Sequence, residues 1–324
     1  MILILSDCTD VSTDYAIEWF RYCRLPFIRL NDIDLINTVV SVEFKEGKQN
    51  IIFNLKEQIV SLDEITAVWF RRGILGFQSN FKNMSAHSQE LTDQVVELIN
   101  LENKTLTDFV IAKLAQKQVL NNQNSYNINK LQTLAFAQEL GINIPVTAIE
   151  TNRKAVDAAL KRPGEQIITK PIQDIFWLNY NGRTEAQYTA RLSDYEDRPE
   201  NFYYSLFQEC IDKKYELRIF FINNDFYCAA IFSESTDGRH DSFKEKLPRI
   251  IPYQISDKLK TQLAGLAKRC EINCGSIDMI IDKSGKHYFL EINPVGQYGM
   301  LSKHCNYNLH EKIAHYFTHE KEII

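Results

Sequence analysis

The sequence predicts an α/β protein of two or three domains, and three observations carry that reading. The chain has 324 residues, 44% hydrophobic and 24% charged, which is long enough to bury a core and to divide. Short apolar runs alternate with stretches of helical period. Gly, Pro and Asn-Gly signals such as Gly73, Gly141, Pro163-Gly164 and Asn181-Gly182 punctuate those runs. Disordered and fibrous classes are excluded by this composition, and no internal repeat or low-complexity tract is present.

Ile2 to Leu5 read as a strand, followed by a helix with Ser12 as N-cap and Tyr15, Ile17, Trp19 and Phe20 along it. Val39 to Phe44 and Asn50 to Leu55 flank Lys45-Glu46-Gly47-Lys48 as a hairpin, and Ala67 to Arg72 form a strand closed by Gly73. Between Ser85 and Gln118, Leu91, Val95, Leu98, Leu101, Leu106, Phe109 and Leu114 recur at helical spacing, with Asn103-Lys104 as a break between two helices. A second unit starts near Val119. It carries a helix from Asn129 to Leu140, a strand from Ile144 to Ile149, a helix from Arg153 to Leu160 and a strand from Gln166 to Lys170. Ile175 to Leu192 turn at Asn181-Gly182, the dipeptide that suits a type I′ hairpin. Strands follow at Ser205 to Ile211, Glu216 to Ile222 and Phe226 to Phe232; Phe243 to Tyr253 read as irregular, Asp257 to Cys270 as a helix, and Ser276 to Asp282 with His287 to Asn293 as a last hairpin.

Thirty-seven basic against 42 acidic residues give a charge of -5, so no global attraction to nucleic acid or anionic membrane is expected. Met1 to Leu5 are apolar but stop at Ser6-Asp7, far short of the ~20 residues of a bilayer span, and a soluble chain that is not exported is expected. Seven cysteines (8, 23, 210, 228, 270, 274, 305) without a Cys-x-x-Cys pair make a poor disulfide framework and fit the cytoplasm. Cys270, Cys274, His287 and His304 match no zinc spacing.

The chemistry concentrates near the C-terminus. With Ser284-Gly285 as a two-residue turn, Lys283 pairs with Lys286 and Asp278 falls opposite Glu291. Period-two alternation puts Asn293 on the same face, with Leu290 and Ile292 on the other. Two carboxylates and an amide oxygen on rigid strands repel one another unless a cation sits between them. Mg²⁺ suits them, since it takes oxygen ligands at about 2.1 Å and keeps positions for water or phosphate. A solvated strand face with scattered acids is the plainer alternative for this triplet.

The segment Glu291-Ile292-Asn293-Pro294-Val295-Gly296-Gln297-Tyr298-Gly299-Met300 resembles the C-terminal motif of ATP-grasp ligases. Further motifs lie in family order: Val68-Trp69-Phe70-Arg71-Arg72, Asn129-Lys130-Leu131-Gln132, Ile168-Thr169-Lys170-Pro171, Gln208-Glu209-Cys210-Ile211 and Glu216-Leu217-Arg218. Over nearly its whole length the chain resembles the grasp-with-spasm peptide maturases (graspetide or microviridin-like ligases), and more distantly the ribosomal-protein glutamate ligases. The resemblance implies an ATP-grasp fold with an N-terminal pre-ATP-grasp α/β domain at 1–118, a central subdomain at 119–204 and a C-terminal subdomain at 205–324. It implies ATP and Mg²⁺, as two ions, for cofactors. Asp278, Glu291 and Asn293 are then metal ligands; Lys130 and Lys170 face phosphates; Gln208, Glu209, Cys210 and Ile211 form the adenine hinge; Glu216 holds the ribose; Arg218 and Lys170 act on the transferring phosphoryl group. Each also has a direct physical reading. Lys170 ends an apolar strand, Lys130 stands at a helix start where backbone N–H groups favour anions, and Arg218 shares a strand face with Glu216.

By resemblance, Asp or Glu side chains of a ribosomally made precursor peptide are activated as acyl phosphates and joined to its Ser, Thr or Lys side chains. A leader segment would lie along the hairpin at Asn181-Gly182 with Tyr180, Tyr188 and Tyr195, whose rings suit a peptide groove; covering the core is the equal alternative for the same tyrosines. A homodimer is a family expectation. Two departures stand out: no glycine falls between Pro171 and Gly182 to cover the phosphates, and Arg239 and Lys244 are both candidates for the substrate-facing cation that such maturases carry. The rival functions are a ligase adding free amino acids to a protein or peptide and a nucleotide-binding regulator without turnover. Gly-x-Gly-x-x-Gly, His-Arg-Asp and Asp-Phe-Gly segments are absent, which discounts a protein kinase.

Overall fold

The computed structural model describes residues 1–31, 34, 39–55, 58–73, 75, 89–160, 166–173, 177–186, 188–192, 199–233 and 248–318. These divide into one unit of Met1–Tyr126 with Asn308–Ile324 and a second of Asn127–Tyr307. Arg239, Lys244, Tyr195 and the Pro163-Gly164 stop lie outside the described residues.

In the first unit β1 (Ile2–Ser6), α1 (Val11–Tyr22) and β2 (Phe27–Asn31) are followed by β3 (Val39–Lys45), β4 (Lys48–Leu55), β5 (Gln58–Ser61), β6 (Ala67–Phe70), α2 (Gln89–Leu114) and β7 (Gln118–Leu120). β1 and β6 are buried along their whole length, as the central strands of a parallel sheet covered on both faces must be; the order is β2-β1-β6-β7. β3, β4 and β5 form a separate antiparallel sheet. The β3–β4 turn at Glu46-Gly47 has φ of 51° and 73°, the left-handed pair of a type I′ turn. Ser12 does not cap α1. Asp10 holds the N-cap position, with no side-chain bond to the helix N–H groups; its carboxylate accepts instead from Thr13 Oγ1 (2.6 Å) and Arg71 Nε (2.9 Å). Asn103-Lys104 does not break the long helix either: α2 runs unbroken, Thr105 Oγ1 donates to the Leu101 carbonyl at 3.0 Å and Lys104 pairs with Asp108 one turn on. Neither residue is a breaker of the Gly or Pro kind.

The second unit holds α3 (Lys130–Glu139), β8 (Thr147–Asn152), α4 (Arg153–Leu160), β9 (Ile167–Lys170), the hairpin β10 (Trp177–Tyr180) and β11 (Arg183–Ala186), β12 (Ala190–Arg191) and β13 (Asn201–Glu209). It continues with β14 (Lys213–Ile222), β15 (Asp225–Phe232), β16 (Arg249–Tyr253), α5 (Asp257–Arg269), β17 (Cys274–Asp282), β18 (His287–Asn293) and α6 (Gly299–His304). One sheet has the order β12-β9-β13-β8, and α4 packs Val156 and Leu160 against its Ile167 and Phe207. The other, β16-β15-β14-β17-β18, is antiparallel throughout. Leu217, Ile219, Phe221, Ile277, Met279 and Ile281 turn one face of it into a core with Leu134 and Ala137 of α3 and Leu259, Leu263 and Leu266 of α5. Alternation leaves Glu216, Arg218, Ser276 and Asp278 on the opposite face. Residues 249–253, read from sequence as irregular, are strand β16: Pro252 sits on a sheet edge, where its missing N–H costs no ladder bond.

The last helix, α7 (Leu309–Phe317), packs in the first unit, with Phe317 against Phe20 and Trp69; the sequence reading had placed residues 308–324 in the C-terminal subdomain. Among the described residues no helix is long and apolar enough to cross a membrane.

Candidate active site

The carboxylates meet as the sequence requires, by another route. The hairpin turn has three residues, Lys283, Ser284 and Gly285; the Gly285 N–H donates to the Asp282 carbonyl at 3.0 Å and Gly285 takes φ +91°. That alone would shift the register by one and set Asp278 against Leu290. A bulge between Asp278 and Met279 on the pairing restores it: Met279 faces Phe289, Leu290 is the extra residue, and Asp278 faces Glu291. Phe289 and Ile292 therefore enter the core, and Leu290 is half-buried; the expected inward pair of Leu290 and Ile292 is corrected to that extent. Asn293 pairs with Ser276, and its Oδ1 accepts from the Val295 N–H at 2.9 Å.

Like charges directly opposite on a sheet repel, and each of these two is tied to a cation. Arg218 stands opposite Asp278 on the other neighbouring strand, with Nε 2.7 Å from Oδ1 and Nη1 3.3 Å from Ser276 Oγ. Lys130 Nζ lies 3.4 Å from Glu291 Oε2 and donates to the Gln173 carbonyl at 3.0 Å. Asn129 caps α3, accepting from the N–H groups of Leu131 and Gln132, so Lys130 is the first residue of a helix and stands at its positive end. Two carboxylates thus stand side by side with a base at each end, on one partly exposed surface.

The segment after Asn293 is locked down by contact. A Cβ on Gly296 would lie 1.8 Å from Ser276 Oγ, and one on Gly275 would lie 2.6 Å from the Asn293 carbonyl oxygen. Tyr298, fully buried, packs its ring 4.6 Å from that of Phe220. Only glycine permits these approaches, and they fix the backbone that carries Asn293.

On the other sheet, Lys170 ends β9 and pairs in register with Leu206. Gln208, two residues along β13 and paired with Ile168, is fully buried. The Thr147 hydroxyl donates to the Pro145 carbonyl (2.8 Å), so it must accept from Gln208 Nε2 (2.8 Å). That fixes the amide's orientation and leaves Gln208 Oε1 as a buried acceptor with no donor. Glu209 Oε1 accepts from the Val146 N–H, and the Cys210 N–H donates to the Gln166 carbonyl at 2.8 Å. Ile211 lies between β13 and β14. Glu216, two residues before Arg218 on β14, pairs with Lys213 at 2.5 Å.

The structure therefore brings Asp278, Glu291, Arg218 and Lys130 together, with Asn293 one register step along. Lys170 and Gln208 share the other sheet. Sequence reasoning passed over Lys213, Ser276 and Gly296. Among the described residues no three His, Cys, Asp or Glu side chains gather as a metal centre; the donor set on the hairpin is two carboxylates and one amide oxygen, the hard oxygen set that Mg²⁺ prefers.

No protein-family model matches the chain. Solved structures do. An ATP-grasp ligase of Chryseobacterium gregarium associated with ribosomally made peptides, in complex with ADP and a leader and core peptide, aligns with a TM-score of 0.74 at 22% identity over 97% of this chain and 94% of its own. Macrocyclase MdnC of Microcystis aeruginosa, bound to precursor peptide MdnA, gives 0.74 at 23% identity over 99% and 100%. The ATP-grasp ligase PsnB, complexed with a variant of its minimal precursor, Mg and ADP, gives 0.68 at 18% identity over 97% and 96%. The chain is thus similar over almost its full length to ligases of this kind, and its fold is the ATP-grasp fold.

Proposed function

We propose that the chain is an ADP-forming ligase that activates Asp or Glu side chains of a ribosomally made precursor peptide and closes ester or amide cross-links with its Ser, Thr or Lys side chains. The observation that carries this reading is the row Arg218, Asp278, Glu291 and Lys130, in which two carboxylates stand side by side on neighbouring strands with a cation at each end. Such a set trades partners without moving its strands. Asp278, Glu291 and Asn293 would hold Mg²⁺, as two ions, which supplies charge neutralisation for the nucleotide phosphates. Arg218 and Lys130, released from the carboxylates, then turn to the phosphates, joined by Lys170 from the other sheet. Gln208 Oε1, the buried acceptor without a donor, suits the exocyclic amine of adenine, and the backbone from Glu209 to Ile211 the rest of the base edge. Glu216 is assigned to the ribose.

In the reaction a substrate carboxylate attacks the γ-phosphorus, ADP leaves, and a hydroxyl or amine displaces phosphate from the mixed anhydride. No protein nucleophile is required: Cys228 and Cys270, on or against the core of the second unit, are pushed by burial to about 12 and about 11. The leader segment is assigned to the β10–β11 hairpin, where Leu178 and Tyr180 are exposed. Seven free cysteines suit the reducing cytoplasm as the site of action.

The test is to incubate the protein with ATP, Mg²⁺ and the short peptides encoded beside its gene. The expected product has lost one water per bond, with one ADP released for each. A product heavier by whole amino-acid residues would assign the chain to the ligases that add free amino acids, and nucleotide binding without ADP release would make it a regulator.

A further inference from the structure

Lys213 was not among the residues read as functional, yet the backbone is bent to bring it to Glu216. On β14, Tyr215, Leu217, Ile219 and Phe221 all turn toward the core, and regular alternation would send Lys213 the same way. The pairing with β17 shifts instead. Lys213 faces Asp282 and Tyr215 faces Ile281, so Lys214 is an extra residue and Lys213 emerges on the face of Glu216 and Arg218. There its side chain is 13% exposed, and its ammonium lies 2.5 Å from Glu216 Oε1 and 3.0 Å from Ser233 Oγ at the end of β15. Ser233 thus helps to hold the ammonium, and the ammonium holds one carboxylate oxygen.

We propose that Lys213 is a positioning residue for the nucleotide ribose. The ammonium holds Glu216 Oε1, leaving Oε2 to accept from a ribose hydroxyl, and it offsets a negative charge that would otherwise repel the nearby phosphates. The proposal rests on the reading that Glu216 meets the ribose. A bulge next to an active site commonly re-aims one side chain, and this one re-aims Lys213.

Its test is equilibrium binding of Mg-ADP, Mg-2′-deoxy-ADP and Mg-3′-deoxy-ADP to the full-length wild type and to Lys213→Met, Lys213→Gln and Lys213→Arg. The wild type should prefer ADP over at least one deoxy analogue on the order of tenfold, as expected for a hydrogen bond to a charged group. In Lys213→Met that preference should fall to about twofold or less, while Lys213→Arg keeps it. Should the Met variant fail to fold, the Gln and Arg variants carry the same comparison. A merely structural lysine would weaken all three ligands equally and leave the ratio untouched, which overturns the proposal. If the wild type binds ADP without discrimination, the proposal also falls while the nucleotide reading stands; if it binds no ADP at all, both fall together.

Discussion

Replacing Gly296 with alanine tests whether the loop after Asn293 is held by close approach. The added Cβ would stand 1.8 Å from Ser276 Oγ, 2.4 Å from Ser276 Cβ and 2.9 Å from Ser276 N. Ser276 is 1% exposed, and two of the three close atoms, its Cβ and N, do not move when its hydroxyl rotates. To reach ordinary van der Waals separation the two segments must part by roughly 1.5–2 Å. Overpacking of this kind costs about 1–3 kcal/mol, or roughly 2–12 °C in the melting of a unit of this size. Function should suffer more than stability, because Asn293 rides on the displaced segment: a misplacement of about 1 Å can cost on the order of a hundredfold in rate. Differential scanning calorimetry and the ADP-release assay read the two effects separately. The double variant Ser276→Gly with Gly296→Ala removes two of the three close atoms and should recover part of both losses, a coupling that a double-mutant cycle measures. A Gly296→Ala protein that melts like the wild type and keeps its rate would refute the argument.

Further outcomes follow from the same structure. Asp10 is pushed up by burial, but Arg71, Thr13 and Arg72 outweigh that and hold its carboxyl below the ordinary 3.8. Its contribution to stability is therefore present above the unfolded-state value near 3.9 and lost as pH falls from there through the lower folded value. Asp10→Asn should cost about 1.5–3 kcal/mol at neutral pH, by replacing the carboxylate that accepts from Arg71 Nε and Thr13 Oγ1 with a neutral amide, and flatten the acid limb of the first unit's stability; an unchanged acid limb would count against the pair. Gln208→Leu should weaken ATP binding and lose discrimination between ATP and purine riboside triphosphate, which lacks the exocyclic amine; equal discrimination in both proteins would reassign Gln208 to structure. Alkylation at pH 8 should label the exposed Cys8 and spare the buried Cys228, whose thiol lies at about 12; peptide mapping showing rapid Cys228 modification would contradict its place in the core.

Local signals in the sequence translated well. Asn181-Gly182 takes φ of 49° and 72° and makes the turn between Tyr180 and Arg183, because the dipeptide chemistry is confined to two residues. The Asp278–Glu291 pairing was reached by a count with two compensating errors, a turn one residue too short and a bulge overlooked at Leu290. Bulges leave little trace in a sequence, since they depend on how two strands fit. The same blindness hid Lys213. Gly296 was quoted only as part of a motif, because the contact that demands glycine comes from Ser276, twenty residues away. Residues 249–253 form a strand although Pro252 weighs against one, because β16 lies at a sheet edge and edges are decided by tertiary order. The unbroken α2 is the converse case, in which polar residues on an exposed helix face looked like an interruption.

Asp278, Glu291 and Asn293 are proposed to hold a divalent cation together with nucleotide, and the proposed ligase depends on that cation. Mn²⁺, a spectroscopic substitute for Mg²⁺, can be titrated into protein and ADP while electron paramagnetic resonance reads the free ion. The wild type should bind Mn²⁺ far more tightly with ADP than ADP does alone, and Glu291→Gln, which removes one charge at nearly constant volume, should lose that gain while keeping its melting temperature. Equal uptake of Mn²⁺ by the two proteins would contradict the assignment of the hairpin carboxylates.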